Sequence, residues 1–183
     1  MSRNQSPDHL VWLDLEMTGL DAERDVILQA AVIITDAQLQ PLESLVIDIW
    51  QPETALASMT PFVRNMHEGN GLIERVRAST VDLQQAQARL LAPIAGWCEY
   101  PATLCGNSVG TDKRFLERWM PAVAGYLHYR ILDVSSLKLI AQRWYGPETQ
   151  FDKPTDREHD ALFDIENSIA ELAHYRRHLL RSI

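Results

Sequence analysis

HLVWLDLE, residues 9–16, alternates apolar and polar side chains and ends in two acids, a pattern that predicts a β-strand. Residues two apart on a strand point to the same face, so Asp14 and Glu16 project together while Leu13 and Leu15 face the core. Two adjacent carboxylates on an apolar strand repel each other unless a cation lies between them, and oxygen ligands suit Mg²⁺ or Mn²⁺ better than Zn²⁺. A D-x-E pair is common, however, and the alternative is a strand that merely reaches the surface at Asp14.

The elements that follow this strand predict an α/β fold: a mixed β-sheet flanked by α-helices on both sides. Two apolar runs at 26–35 and 45–50 indicate further strands, in a locally antiparallel arrangement. The remaining predicted order is a helix at 81–97, a strand at 103–106, a helix through 115–119, a strand at 130–134, a helix to 145, a polar loop at 146–157 and a helix through 162–172. The expected helix caps are Thr80, Ser108 or Thr111, and Ser135 or Ser136.

Bulk properties narrow the class of protein. A length of 183 residues suits a single domain, 1–183. No apolar run reaches the length of a membrane span and the N-terminus lacks a signal-peptide core, so we expect a cytoplasmic protein without a membrane partner. The net charge of -8 disfavours binding of a long nucleic acid, because such binding relies on many Lys and Arg contacts to phosphate. Either the protein binds no nucleic acid, or it binds a short piece with metal ions supplying positive charge.

Further acids lie at helix starts later in the chain. Asp112 follows the turn at 106–108, where an acid in the first helical turn is favourable in any case. Asp164 lies beside the apolar stripe of the last predicted helix, a position harder to dismiss than one on the outer face. His159 lies five residues earlier, where the polar loop meets that helix.

A family resemblance covers almost the whole chain and rests on five blocks in this order: WLDLEMTGLD, MTPFVRNMHEGNGL, CGNSVGTDKRFL, YRILDVSSLK and HDALFDIENSIAEL. The chain resembles the oligoribonuclease family, part of the DEDDh exonuclease superfamily with the ribonuclease H-like fold. The resemblance implies a 3′-to-5′ exoribonuclease that degrades short RNA, especially dinucleotides, to nucleoside 5′-monophosphates. It also implies that two divalent cations, Mg²⁺ or Mn²⁺, are held by Asp14, Glu16, Asp112 and Asp164, and that His159 is the catalytic histidine, taking a proton from the attacking water.

The resemblance also assigns residues to the 3′ end of the RNA. Leu20 would wedge against the terminal bases, and His67 would touch the sugar or phosphate. Phe62 stands where the family has a stacking Trp, and its ring still offers a face to a base. The alternative for Phe62 is an ordinary core residue.

At the 5′ end, Ser108, Arg130 and Ser135 resemble the family's cap for the 5′ phosphate, which would exclude longer chains. Helix capping and surface charge are the alternative roles of these residues. Tyr129 in the family reaches the active site from the other subunit, so the resemblance implies a homodimer.

Three other function classes remain to be separated. The nearest is a DEDDh exonuclease acting on longer DNA or RNA 3′ ends, which would prefer a long substrate to a dinucleotide. A non-catalytic nucleotide-binding protein of the same fold is expected to lack one or more of the acids, yet all are present. An interaction module with chance acid clusters would show no metal-dependent cleavage of RNA.

Overall fold

The structure, a computed structural model, describes residues 4–154 and 160–180. Its five strands are β1 Leu10–Met17, β2 Ile27–Thr35, β3 Pro41–Asp48, β4 Ala102–Gly106 and β5 Leu127–Asp133. They form one sheet in the order β3-β2-β1-β4-β5. The first three strands pair antiparallel, whereas β4 pairs parallel to both β1 and β5. The predicted mixed sheet is confirmed.

Helices fill the connections between the strands. They are α1 Glu53–Ala57, α2 Pro61–Gly69, α3 Leu72–Ala78, α4 Leu83–Trp97, α5 Gly110–Trp119, α6 Pro121–Tyr126, α7 Val134–Trp144 and α8 Ala161–His178, with a 3-10 turn at Pro147–Thr149. The sequence patterns did not predict α1, α2, α3 or α6, because a helix of one to three turns is too short to show an apolar stripe. Within the described ranges, no helix has the length and apolar character needed to cross a membrane.

The two faces of the sheet have separate cores, and β1 contributes to both. Leu13 and Leu15 pack on the face covered by α4, α5 and α6. Trp12 packs on the opposite face against α7 and α8, and its indole N–H donates to Thr35 Oγ1 at 3.0 Å. Since alternate residues share a face, Asp14 and Glu16 lie on the side of Trp12 and point towards α8. The alternation of β1 therefore positions the acids.

Three predicted helix caps are wrong: Thr80, Ser108 or Thr111, and Ser135 or Ser136 do not cap their helices. Asp82 caps α4 in a capping box with Gln85. Val109 precedes α5 and offers no side-chain cap. Asp133 caps α7, where its carboxylate accepts a hydrogen bond from the Ser135 N–H at 3.0 Å. The hydroxyls of Ser108 and Ser135 are therefore available for other partners.

Candidate functional site

Three carboxylates meet beside the C-terminal half of β1. Asp14 and Glu16 project from the strand, and Asp164 projects from the first turn of α8. One oxygen of each lies within 4.8 Å of the others. Glu16 is buried, and the Asp164 side chain is only 17% exposed. We call these three residues the acid cluster.

Asp112, the fourth predicted acid, approaches β1 from α5. It is buried, and its Oδ1 accepts a hydrogen bond from the Leu15 N–H at 2.9 Å. The parallel pairing of β1 with β4 brings the start of α5 to this end of the sheet. The charge of Asp112 raises the pKa of both Asp14 and Glu16, so the Asp112 carboxylate is close enough to interact electrostatically with the acid cluster.

Burial and neighbouring like charges raise the pKa of Asp14, Glu16 and Asp112. Burial, followed by the charges of the neighbouring carboxylates, raises the pKa of Asp14 well above its ordinary value. The same two causes raise the pKa of Glu16 to about 8. Burial raises the pKa of Asp112 to about 7, opposed by the hydrogen bond from Leu15. Oxygen donors that are crowded together in this way fit hard divalent cations such as Mg²⁺ or Mn²⁺, because the cation charge would stabilise the ionised carboxylates.

Lys153 contacts the acid cluster from the segment between α7 and α8. Its Nζ lies 2.7 Å from Asp164 Oδ1, and its charge lowers the pKa of Asp14. The ammonium group thus offsets part of the repulsion among the carboxylates. The sequence patterns missed Lys153, because a single Lys in a polar loop carries no sign of the acid it will contact.

His67 and Arg75 lie near Glu16. His67 is completely buried; its Nε2 lies 3.0 Å from the Met17 carbonyl oxygen and its Nδ1 lies 3.9 Å from Glu16 Oε2. This residue was predicted to touch the substrate, and the structure places it beside a member of the acid cluster. Arg75 lowers the pKa of Glu16 and lies 3.4 Å from Asp48. Neither contact had a signal in the sequence.

His159, the predicted catalytic histidine, lies outside the described residues. Its neighbour Asp160 caps α8, where its Oδ1 accepts a hydrogen bond from the Phe163 N–H at 3.2 Å. The charge of Asp160 raises the pKa of Glu16, so the start of α8 lies close to the acid cluster.

Two predicted base-contacting residues lie on the surface. Leu20 is 74% exposed and Phe62 is 76% exposed, so Phe62 is not a core residue. Leu20 follows the end of β1 and borders a cavity of about 560 Å³, whose other wall includes Arg114 and Arg118 of α5. Exposed apolar side chains beside a cleft offer a surface on which bases can stack.

The predicted 5′-phosphate residues lie where α5, β5 and α7 meet. The Ser108 N–H donates to Ser135 Oγ at 2.9 Å and to Asp133 Oδ1 at 3.0 Å, and the two hydroxyl oxygens are 3.2 Å apart. Ser108 has a φ of 51°, an uncommon conformation for a residue other than glycine, and these bonds hold it there. We call Ser108 and Ser135 the serine pair. Arg130 is exposed on β5, with its guanidinium carbon 4.9 Å from the ring centre of Tyr129.

Tyr129 is well placed to contact another molecule. Its side chain is 70% exposed, and β5 is an edge strand of the sheet. Lys113 Nζ donates to the Tyr129 carbonyl oxygen at 2.9 Å, which ties this part of β5 to α5.

Comparisons with known proteins point to one family. A family model described as "Exonuclease" matches residues 11–172. The chain is 49% identical over 179 residues to an oligoribonuclease of Azoarcus sp., covering 97% of this chain and 98% of the relative. It is 48% identical over 179 residues to an oligoribonuclease of Pseudomonas aeruginosa, covering 97% and 99% of the two chains.

Solved structures resemble this chain in fold. E. coli exonuclease I in complex with an oligonucleotide has a TM-score of 0.71 at 19% identity, covering 96% of this chain and 42% of that one. A zinc-bound E. coli exonuclease I–ssDNA complex has a TM-score of 0.65 at 17% identity, with 97% and 42% covered. This chain therefore spans about two-fifths of the exonuclease I chains it matches, and the likeness confirms the expected fold.

We predict that the metal-free protein, kept in chelator, loses thermal stability as the pH rises. The folded protein keeps protons on Glu16 and Asp112 at pH values where the unfolded chain has released them, because their folded pKa values are raised to about 8 and about 7. The resulting stabilisation is complete below about pH 4 and is lost progressively as the pH rises towards 8. Melting curves in chelator should show a fall in Tm on the order of 10 °C or more across this window.

Saturating Mg²⁺ or Mn²⁺ should abolish most of this fall, because the cations stabilise the ionised carboxylates. Asp14→Asn in chelator is the matched variant; it removes one charge and should flatten the dependence. A Tm in chelator that does not change with pH would contradict the inferred crowding of charge.

Proposed function

This chain belongs to the oligoribonuclease family of 3′-to-5′ exoribonucleases acting on short RNA, and we propose that it acts as a single exonuclease domain. Its acid cluster, Asp112 and His159 would carry out phosphodiester hydrolysis at the 3′ end of the RNA. The observation that carries this proposal is the meeting of three carboxylates from β1 and α8 within 4.8 Å. The raised pKa values of Asp14 and Glu16 support cation binding at this place, because a cation would stabilise the ionised carboxylates.

The acids would hold two divalent cations, Mg²⁺ or Mn²⁺. Bound there, such ions supply an activated water and stabilise negative charge on the attacking and leaving oxygens. The charges of Asp112 and Asp164 both raise the pKa of Asp14, which supports Asp14 as one of the residues that would hold the ions. Lys153 Nζ, 2.7 Å from Asp164 Oδ1, would compete with the cations for that oxygen.

His159 would take the proton from the attacking water. An imidazolium group ordinarily has a pKa near 6.5, so a neutral imidazole is available as a general base at neutral pH. Asp160, the next residue in the chain, caps α8 and its charge raises the pKa of Glu16, which supports this proposal.

The terminal bases of the RNA would stack between Leu20 and Phe62. Both side chains are exposed, which supports contact with a ligand over a role in the core. His67, whose Nδ1 lies 3.9 Å from Glu16 Oε2, would contact the sugar or phosphate of the 3′ nucleotide next to that carboxylate.

The 5′ phosphate would bind at the serine pair and Arg130. Neither serine caps a helix, and Arg130 offers donors in a fork that fits phosphate oxygens. A site that holds both ends of the RNA needs few phosphate contacts, which agrees with a net charge of -8. The substrate would therefore be two to about five nucleotides long, with dinucleotides preferred.

A homodimer would complete each active site. The exposure of Tyr129 on an edge strand supports its reaching the active site of a second subunit. We place the enzyme in the cytoplasm, where short RNA arises.

A length series tests the substrate. Because the serine pair would block longer chains, we expect kcat/KM for a 5′-phosphorylated dinucleotide to exceed that for an RNA of roughly twenty nucleotides by at least about tenfold. Release of nucleoside 5′-monophosphates with Mg²⁺, with Mn²⁺ and with chelator gives the rates. Preference for the long RNA would favour an exonuclease of longer 3′ ends, and cleavage that is insensitive to chelator would rule out the metal mechanism.

The pH dependence of kcat tests His159. At saturating Mg²⁺ the carboxylates are ionised, so we expect kcat to rise as the pH passes through about 6.5 with the histidine. His159→Ala should lower kcat by about a hundredfold or more and flatten the profile. His178→Ala, at the exposed end of α8, is the matched control and should keep the wild-type profile. An undiminished kcat in His159→Ala would exclude the histidine as the base.

Mixing two inactive variants tests the role of Tyr129. Asp14→Asn lacks a metal ligand and Tyr129→Ala lacks the residue that we propose acts in the partner's site. A mixed dimer has one site with intact acids and an intact Tyr129, so random mixing should restore about a quarter of wild-type activity. Light scattering measures whether a dimer forms. A dimer whose mixture stays inactive would contradict action of Tyr129 across the interface.

A further inference from the structure

A chain of hydrogen-bonded side chains connects α8 to the serine pair. Tyr175 OH donates to Glu171 Oε1 at 3.0 Å, and Asn107 Nδ2 donates to Glu171 Oε2 at 3.0 Å. Ser135 Oγ donates to Asn107 Oδ1 at 3.1 Å and accepts from the Ser108 N–H at 2.9 Å. The bonds run without a break from the interior of the protein to the 5′-phosphate residues.

The same network contacts the helical turn that carries a metal-binding acid. Asn107 Nδ2 also donates to Ser168 Oγ at 3.0 Å, and the Ser168 hydroxyl donates to the Asp164 carbonyl oxygen at 2.9 Å. Asn107 also begins the turn that leads through Ser108 to Asp112. One amide side chain therefore lies between the acids and the serine pair.

The direction of each hydrogen bond follows from the groups involved. A carboxylate only accepts, so Glu171 requires the amide nitrogen of Asn107 to face it. Ser168 gives its only proton to Asp164, so its oxygen must also accept from that nitrogen. Asn107 Oδ1 is left to face Ser135, which donates to it.

This order determines which serine can donate to a ligand. The single proton of Ser135 is committed to Asn107, so the Ser108 hydroxyl supplies the proton between the two serine oxygens, 3.2 Å apart. That proton can turn to a phosphate oxygen without breaking any other bond of the network. Ser135 then serves to orient Ser108, which already has its N–H fixed by Ser135 and Asp133.

We infer that Asn107 and Glu171 are positioning residues that hold the 5′-phosphate subsite at a set distance from the acid cluster. This inference rests on the proposed function, and it explains how a short substrate is measured: the two ends of the RNA bind to parts of the protein that one rigid network joins. Glu171 is buried at 2% exposure, and burying a carboxylate is costly unless it is fully hydrogen-bonded. Asn107 and Tyr175 meet that requirement, and the result is a fixed geometry that apolar packing would not impose.

The test compares two dinucleotides that differ only at the 5′ end. We measure the ratio of kcat/KM for the 5′-phosphorylated dinucleotide to that for the 5′-hydroxyl dinucleotide. Both are cleaved at the same acid cluster, so a variant with a damaged fold or metal site loses both activities and keeps the ratio. Wild type should prefer the phosphorylated substrate. Asn107→Ala should lower the ratio about tenfold, mainly through KM, as expected for the loss of one well-oriented hydrogen bond to a charged group.

A matched pair at position 171 tests the network independently of Asn107. Glu171→Gln can still accept from Asn107 through its carbonyl and donate to the Tyr175 hydroxyl, so it should keep the wild-type ratio. Glu171→Leu fills the same space without an acceptor and should lower the ratio as Asn107→Ala does. An unchanged ratio in both Asn107→Ala and Glu171→Leu would overturn the inference.

The wild-type result separates this inference from the proposed function. If wild type cleaves both dinucleotides equally with Mg²⁺, there is no 5′-phosphate subsite to position; the inference fails while metal-dependent hydrolysis stands. If wild type cleaves neither dinucleotide with Mg²⁺ or Mn²⁺, the proposed function itself fails.

Discussion

The repulsion among the partly buried carboxylates beside β1 is the constraint on which the rest of the site depends. Asp14, Glu16 and Asp164 bring oxygens within 4.8 Å of one another in a place that water reaches poorly. The side chains cannot turn away, because the other face of β1 is the packed core around Leu13 and Leu15. The rigid sheet therefore maintains an electrostatic strain that a bound cation relieves, at the cost of stability in its absence.

Positively charged side chains lie at separate points around the acid cluster and the proposed 5′ end of the substrate. The chain carries a net charge of -8, yet Lys153 contacts Asp164 and Arg75 acts on Glu16, while Arg130 lies at the proposed 5′ end of the substrate. Such an arrangement suits a ligand gripped at its ends better than one held along an extended groove. The network through Asn107 joins the acid cluster to the serine pair, so in the proposed function selectivity for length would depend on geometry more than on the total strength of binding.

The features predictable from sequence are those with a local cause. The alternation of β1 correctly separates Leu13 from Asp14, because side chains on a strand alternate wherever the strand lies. Long helices such as α4 and α8 show their apolar stripes, whereas α1, α2 and α3 are too short to do so. Hydroxyl residues near helix starts were wrongly predicted as caps, because Asp82 and Asp133 lie close by and compete for the same backbone N–H groups.

The sequence by itself determined the order of the strands and of the longer helices, the shared face of Asp14 and Glu16, and, through its five blocks, the family. Only the tertiary structure decided which side chains meet: Lys153 with Asp164, His67 with Glu16, and Asn107 with Glu171. The last two residues are 64 positions apart in the sequence. The contact of Asn107 with Glu171 exists because α8 packs on the sheet next to the turn after β4. No local pattern encodes such a meeting, since it depends on how two distant segments are placed by the core between them.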